Sequence, residues 1–293
     1  MGLPRHIQHP GLPTPERHRV VACRVHPVKL TLSAGCDINT AIAKAFAAQG
    51  FAGGYIRLQS LAMQQLNYVM PAASPDDTHA AWYSETHVMQ EGVILDAALH
   101  AGERDGKPFL HCHGTWRDAE GRIGMGHLLP FEAELRDDTE VEALALDGAL
   151  LVGRPDDETN FTLFSPEARP PQAKMSGGYK AVLATVRPNT DLCLATEVIC
   201  GAFSLADVSV HGIGSLVGAD YEDGTTLTAH ASELYIDKGE VVALEYRHQA
   251  RIDIAMVDLS GRFSHGRLKR GLNPVCVTAE LLLVERPSGL PDL

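Results

Sequence analysis

Gly121-Arg122-Ile123-Gly124-Met125-Gly126-His127-Leu128 returns, altered, as Gly261-Arg262-Phe263-Ser264-His265-Gly266-Arg267-Leu268. Gly, Arg, Gly and Leu coincide without a gap, and an Asp stands three residues ahead of each leading Gly, at Asp118 and Asp258. A second correspondence lies upstream. Val28 to Leu32 alternates like a strand and is followed by Asp37 and the helical run Ile38 to Gln49; Ala181 to Val186 is followed by Asp191 and the run Leu192 to Phe203. Both Asp residues suit a helix N-cap, where the carboxylate accepts from the free amides of the first turn. Each helix leads into a strand ending at Ser-Leu, Ser60-Leu61 and Ser215-Leu216. A repeat at this spacing predicts two diverged copies of one domain.

One helix and several consecutive strands per copy predict an α+β class: two mixed or mainly antiparallel sheet domains, each packed with one main helix. The expected boundaries are an N-terminal arm at 1–25, a first domain at 26–164, a linker at 165–177 rich in Pro, Lys and Gly, a second domain at 178–287 and a tail at 288–293. The arm is expected to be mobile or to wrap around the domains.

Chemistry concentrates in the first copy. Phe109-Leu-His-Cys-His-Gly-Thr-Trp116 reads as a strand and Ile123 to Leu129 as its partner. Ala119, Glu120 and Gly121 suit a three-residue turn closed by a left-handed Gly. That register sets His113 opposite His127. His111 and His113, two apart, share a face, so three imidazoles converge. A slip by two residues keeps the cluster; a slip by one turns His127 to the other face. Three neutral imidazoles suit a divalent metal, zinc first, and leave a fourth position for water or substrate. In the second copy the aligned positions are Arg251, Asp253 and Arg267, so the hairpin survives without any of the three histidines. These residues are read as an ion network, with anion binding as the alternative.

The run Pro108-Phe-Leu-His-Cys-His, then Asp-Ala-Glu-Gly-Arg, then Gly-Met-Gly-His-Leu-Leu129 resembles the signature of the plants-and-prokaryotes conserved (PPC) domain. The resemblance covers 26–150 well. It covers 179–286 weakly, through Asp258, Gly261, Gly266 and Gly214-Ser215-Leu216, so the chain resembles a tandem PPC protein with a degenerate second copy. It implies a compact α+β domain assembling as a homotrimer. It also implies a metal on the three motif histidines, as in some prokaryotic members, and a DNA-binding, regulatory role. That last label derives from plant members that carry an AT-hook. This chain has no AT-hook, and Met125 replaces the first Gly of the Gly-Gly-His pattern.

Composition narrows the partners. The 293 residues include 45% hydrophobic and 21% charged, enough for two soluble domains with real cores. A net charge of −12, with no run denser than Arg267-Leu268-Lys269-Arg270, opposes a phosphate backbone. No apolar run is long enough to span a membrane, and the N-terminal residues lack a secretory core, so a cytoplasmic protein is expected. Cys23, Cys36, Cys112, Cys193, Cys200 and Cys276 form no Cys-x-x-Cys pair and are read as unpaired, mostly packed thiols. Glu85 and Glu132 are candidate acid–base groups should a pocket form near the metal, and His79, His87, His100, Tyr55 and Arg57 are candidates to line it. Gly212 to Gly218 lacks the Lys-Ser/Thr of a phosphate loop. Three readings follow: a metal site that acts on or senses a small molecule, a DNA-associated regulator, or a structural oligomer stapled by its metal. Whether any reaction is catalysed stays open.

Overall fold

Asp37 and Asp191 each open a helix. The Asp37 carboxylate accepts from Thr40 N at 2.8 Å, and Asp191 from Leu194 N at 2.9 Å. In this computed structural model, which describes residues 5–171 and 177–286, these are the only two helices among the described residues. The first half runs β1 (His18–Leu32), α1 (Ile38–Ala48), β2 (Gly54–Val69), β3 (Pro71–Ala72), β4 (Trp82–Tyr83), β5 (Gln90–Arg104), β6 (Lys107–Asp118), β7 (Ile123–Leu135), β8 (Thr139–Asp147), β9 (Ala149–Pro155) and β10 (Thr162–Ala168). The second runs β11 (Tyr179–Val186), α2 (Leu192–Ala202), β12 (Val208–Leu216), β13 (Ala219–Asp220), β14 (Thr226–Leu227), β15 (Ser232–Ala243), β16 (His248–Asp258), β17 (Phe263–Arg267) and β18 (Val275–Glu285).

The α+β class expected from the sequence is corrected here. Strand makes up 59% of the chain and helix 8%, so the protein is mostly β. The reason is length. Each helix has 11 residues, whereas β1, β2 and β5 run for 15 or 16 and each serve more than one neighbour, with bulges where β2 meets β7 and β5 meets β6. β2 pairs with β5, β7 and β8, which closes β2, β5, β6 and β7 into a barrel.

Strand pairing follows one order in both halves. The first half reads β1-β8-β2-β5-β6-β7 and the second β11-β18-β12-β15-β16-β17. β1 and β11 pair antiparallel, His18 against Val186 through Val25 against Tyr179, so the two halves share one 14-stranded sheet. Residues 18–25, expected in the arm, form the first part of β1. Of the expected linker, 165–168 belong to β10 and 172–176 lie outside the described residues, as does the expected tail. The arm crosses both halves: Ile7 is buried, Arg17 pairs with Glu158, and His9 Nε2 lies 2.8 Å from the Cys276 carbonyl.

Period-two alternation distributes the side chains between cores. On β6, Leu110, Cys112 and Trp116 enter the core under α1, leaving Phe109, His111 and His113 on the opposite face. On β18, Ala279, Leu281 and Leu283 enter the core under α2, while Leu282 and Val284 turn the other way with Glu280. These opposite faces meet in a third core that contains Val25, Tyr55, Leu144, Leu183, Ile213 and Leu282. The histidine face is therefore covered by the second half of the same chain.

A shared core makes the halves unfold together. Leu282→Ala, at a site with no exposed surface, should cost about 2–5 kcal/mol and lower a single calorimetric transition. Two transitions, of which only one moves, would contradict the shared core.

Candidate metal centre

The hairpin that carries the histidines is built by Asp118. Its backbone N–H donates to Arg122 O at 3.0 Å and its carbonyl accepts from Gly121 N at 3.1 Å. Gly121 has φ +85°, a left-handed conformation that Gly adopts without strain. The second half repeats this with Asp258, Arg262 and Gly261, at 3.1 Å, 3.0 Å and φ +76°. The predicted register is present: His113 opposes His127, and Asp253 opposes Arg267.

His111, His113 and His127 converge with one nitrogen of each within 4.8 Å of the others. His111 Nε2 and His113 Nε2 are 3.1 Å apart. Partners at the far side of each ring fix the tautomers. His113 Nδ1 donates to the Leu234 carbonyl at 2.9 Å, and His111 Nδ1 donates to Glu280 Oε1 at 2.8 Å. Both Nε2 atoms then present lone pairs to each other, an arrangement that needs a proton or a cation between them. His127 Nδ1 is buried without a hydrogen-bond partner among the described residues. Burial, followed by the neighbouring histidines, drives His113 and His127 well below the usual imidazole range, so both are neutral and able to ligate.

Two carboxylates complete the surroundings, and both come from the second half. Glu280 is 1% exposed and orients His111. Its main-chain oxygen also accepts from His100 Nε2 at 3.2 Å. Glu233 is buried, with Oε1 4.0 Å from His113 Nε2. Burial raises its carboxyl well above the ordinary range. The neutral imidazoles of His113 and His127 and the buried carboxyl groups beside them set several oxygen and nitrogen lone pairs in an apolar setting, where a divalent cation offsets the cost of burial. The residues present thus fit a metal. The three imidazoles would hold it, and Glu280 would orient one of them.

The cluster opens onto a cavity of about 500 Å³ between the halves, walled by Trp82, Tyr83, Phe109, Phe161 and Phe164. Of the sequence candidates, Glu132 lines this cavity and accepts from Asn67 Nδ2 at 3.0 Å. Glu85 is exposed and is not among the lining residues. His79 packs against Trp82 and Phe161, and His87 stacks on Tyr68. Tyr55 and His100 are buried together behind the site, ring centroids 5.2 Å apart, and Arg57 pairs with Asp96 and Asp237. In the second half Arg267 grips Asp253 through two bonds of 3.0 and 2.9 Å, while Arg251 turns to Glu240 at 3.4 Å.

Sequence reasoning missed Glu233 and Glu280. Glu280 did leave a signal, a lone carboxylate against Leu281-Leu282-Leu283-Val284, since an unpaired charge is rarely placed in such a run. Glu233 left none, because its neighbours become visible only when the halves meet.

No protein-family model matches the chain. No curated protein matches it either. Among solved structures it is similar to a metal-containing protein from Archaeoglobus fulgidus, at 21% identity and a TM-score of 0.39, covering 48% of this chain and 94% of that one. It is also similar to a plant- and prokaryote-conserved (PPC) protein from Pyrococcus horikoshii, at 16% identity and a TM-score of 0.37, covering 50% and 96%. A candidate DNA-binding protein from Ralstonia eutropha gives 12% identity and a TM-score of 0.34 over 50% and 96%.

Two outcomes follow from this geometry. Glu280→Gln should weaken metal affinity by about 10- to 100-fold in a chelator competition, because the carboxylate orients His111. Acid should destabilise the metal-free protein. Burial holds His100 down at about 4, His211 at about 3, and His113 and His127 well below 6.5. Between those values and about 6.5 the unfolded chain binds more protons than the folded one, so stability falls as pH falls, by up to about 1.4 kcal/mol per unit for each histidine. Denaturant midpoints at pH 7 and pH 5 check this; equal midpoints would contradict neutral, buried imidazoles.

Proposed function

We propose that the chain is a metalloprotein whose His111–His113–His127 centre holds a divalent cation, zinc first, and that it acts on or senses a small molecule in the adjoining cavity. The observation that carries this reading is the pair of Nε2 atoms at 3.1 Å whose opposite nitrogens are already committed to Leu234 O and Glu280 Oε1. Such a pair is built to share a cation. Bound there, the metal would supply a Lewis acid and a fourth coordination position. A purely structural staple needs no access, whereas this cluster faces a cavity large enough for a small organic ligand.

The second half is proposed to be a copy of the first that gave up ligation. Asp253 and Arg267 occupy the paired positions of His113 and His127, and their two-bond ion pair fills the place of the imidazoles. The copy kept its covering role and contributes Glu233 and Glu280 to its neighbour.

Elemental analysis of protein purified without a histidine tag tests the metal. About one equivalent of zinc or another transition metal is expected after reconstitution, and His113→Ala should lose it; less than about 0.2 equivalents in the wild-type protein would overturn the reading.

A further inference from the structure

The cavity beside the histidines carries a guanidinium. Arg104 ends β5 and, among the described residues, is the one Lys or Arg that lines the space. Its side chain makes no ion pair and no hydrogen bond among the described residues, in a chain where 37 Asp and Glu stand against 25 Lys and Arg. The adjacent carboxylates are engaged elsewhere: Glu103 pairs with Arg169, and Glu132 accepts from Asn67 Nδ2 at 3.0 Å. What holds Arg104 is apolar contact. Its guanidinium carbon lies 5.6 Å from the centre of the Phe109 ring. Its stem lies against Gly153 of β9, where an added Cβ would come within 3.1 Å of Arg104 Cγ. A ring face steadies a cation without neutralising it, so the N–H groups of the guanidinium remain available to an acceptor.

Strand pairing sets the spacing. His100 opposes His111, Gly102 opposes Phe109 and Arg104 opposes Lys107. Alternation puts Arg104 on the face of β5 that continues the Phe109 and His111 face of β6. Its row is four residues from the His111 row, about 13 Å along the strand. Phe164 spans the interval, with its ring centroid 5.9 Å from Phe109 and 6.3 Å from His111. The cavity wall thus runs from the imidazoles, over aromatic rings, to an uncompensated cation.

We infer that the cavity takes an organic carboxylate with an aromatic or apolar body, and that Arg104 selects it by pairing with the carboxylate at the end away from the histidines. The inference deepens the reading of the cavity as a small-molecule site and does not depend on the metal. The body packs against Phe109, Phe161 and Phe164, where ring burial adds affinity with little directional demand. The planar fork of Arg104 matches the two carboxylate oxygens. A neutral ligand of the same shape would cover the guanidinium without giving it an acceptor, and that difference is the basis of selection. With a net charge of −12, the chain as a whole repels anions, so a local cation is what admits one.

Calorimetric titration of the full-length protein, metal-loaded and chelator-treated, tests this with 3-phenylpropionate and 3-phenylpropionamide, which share a body and differ in charge. Both preparations of the wild-type protein should bind the carboxylate about fivefold or more tightly than the amide, a preference that weakens with added salt. Arg104→Gln should abolish the preference and leave amide affinity within about twofold of wild type, and Arg104→Lys should keep part of it. Equal affinity of the two probes in the wild-type protein would overturn the inference. A preference that survives in Arg104→Gln would overturn it by placing the carboxylate elsewhere, on the metal if it appears only in the loaded protein. An equal loss of both probes in Arg104→Gln would mark a merely structural role and overturn it too. Failure of either probe to bind the wild-type protein at millimolar concentration would overturn the small-molecule reading of the cavity together with the inference. If the protein takes up no metal yet shows the Arg104-dependent preference, the metal reading alone fails and the inference stands.

Discussion

The alternation of side chains along β6, β15 and β18 governs this molecule. Each strand packs both faces against other parts of the chain, but the two faces serve different cores: one belongs to its own half, the other to the contact between halves. Because successive residues must point oppositely, His111 and His113 cannot join Cys112 in the first core, and Glu280 cannot join Leu281 in the second. All the polar chemistry is thereby sent to the one surface where the halves meet. β1–β11 pairing then holds that surface closed along a continuous sheet.

Closure changes the character of the histidines. On an open sheet face, three imidazoles would be hydrated and would titrate near their usual value. Beneath the second half they lose water, burial drives His113 and His127 neutral, and His113 and His111 acquire fixed acceptors at Leu234 O and Glu280 Oε1. Those acceptors decide which nitrogen keeps its lone pair. A hairpin alone can bring three rings together; orienting their lone pairs toward one point requires groups from another part of the chain.

The second half shows what the hairpin needs and what it does not. The Asp-x-x-Gly-Arg turn has the same hydrogen bonds and the same left-handed Gly in both places. At the paired positions one hairpin carries two imidazoles and the other an Arg–Asp ion pair. The turn chemistry is therefore independent of the site chemistry, and either set of side chains is compatible with the strand pairing.

Local chemistry was legible in the amino-acid order. The two N-caps, the turn at Gly121, the cross-strand meeting of His113 with His127 and the parallel order of the two halves all follow from contacts a few residues long or from direct repetition. The class was not: short helical runs drew the reading toward α+β, whereas strand length and bulging, set by which neighbours each strand finds, make the protein mostly β. Glu233 and Glu280 were beyond reach for the same reason. They lie more than 100 residues from the histidines in the chain, and only the packing of one sheet face on another makes them neighbours. The sequence by itself determined where three imidazoles gather. The tertiary structure decided that they are covered, that His111 and His113 are oriented, and that two carboxyl groups join them, because burial and orientation are properties of the surface that covers them.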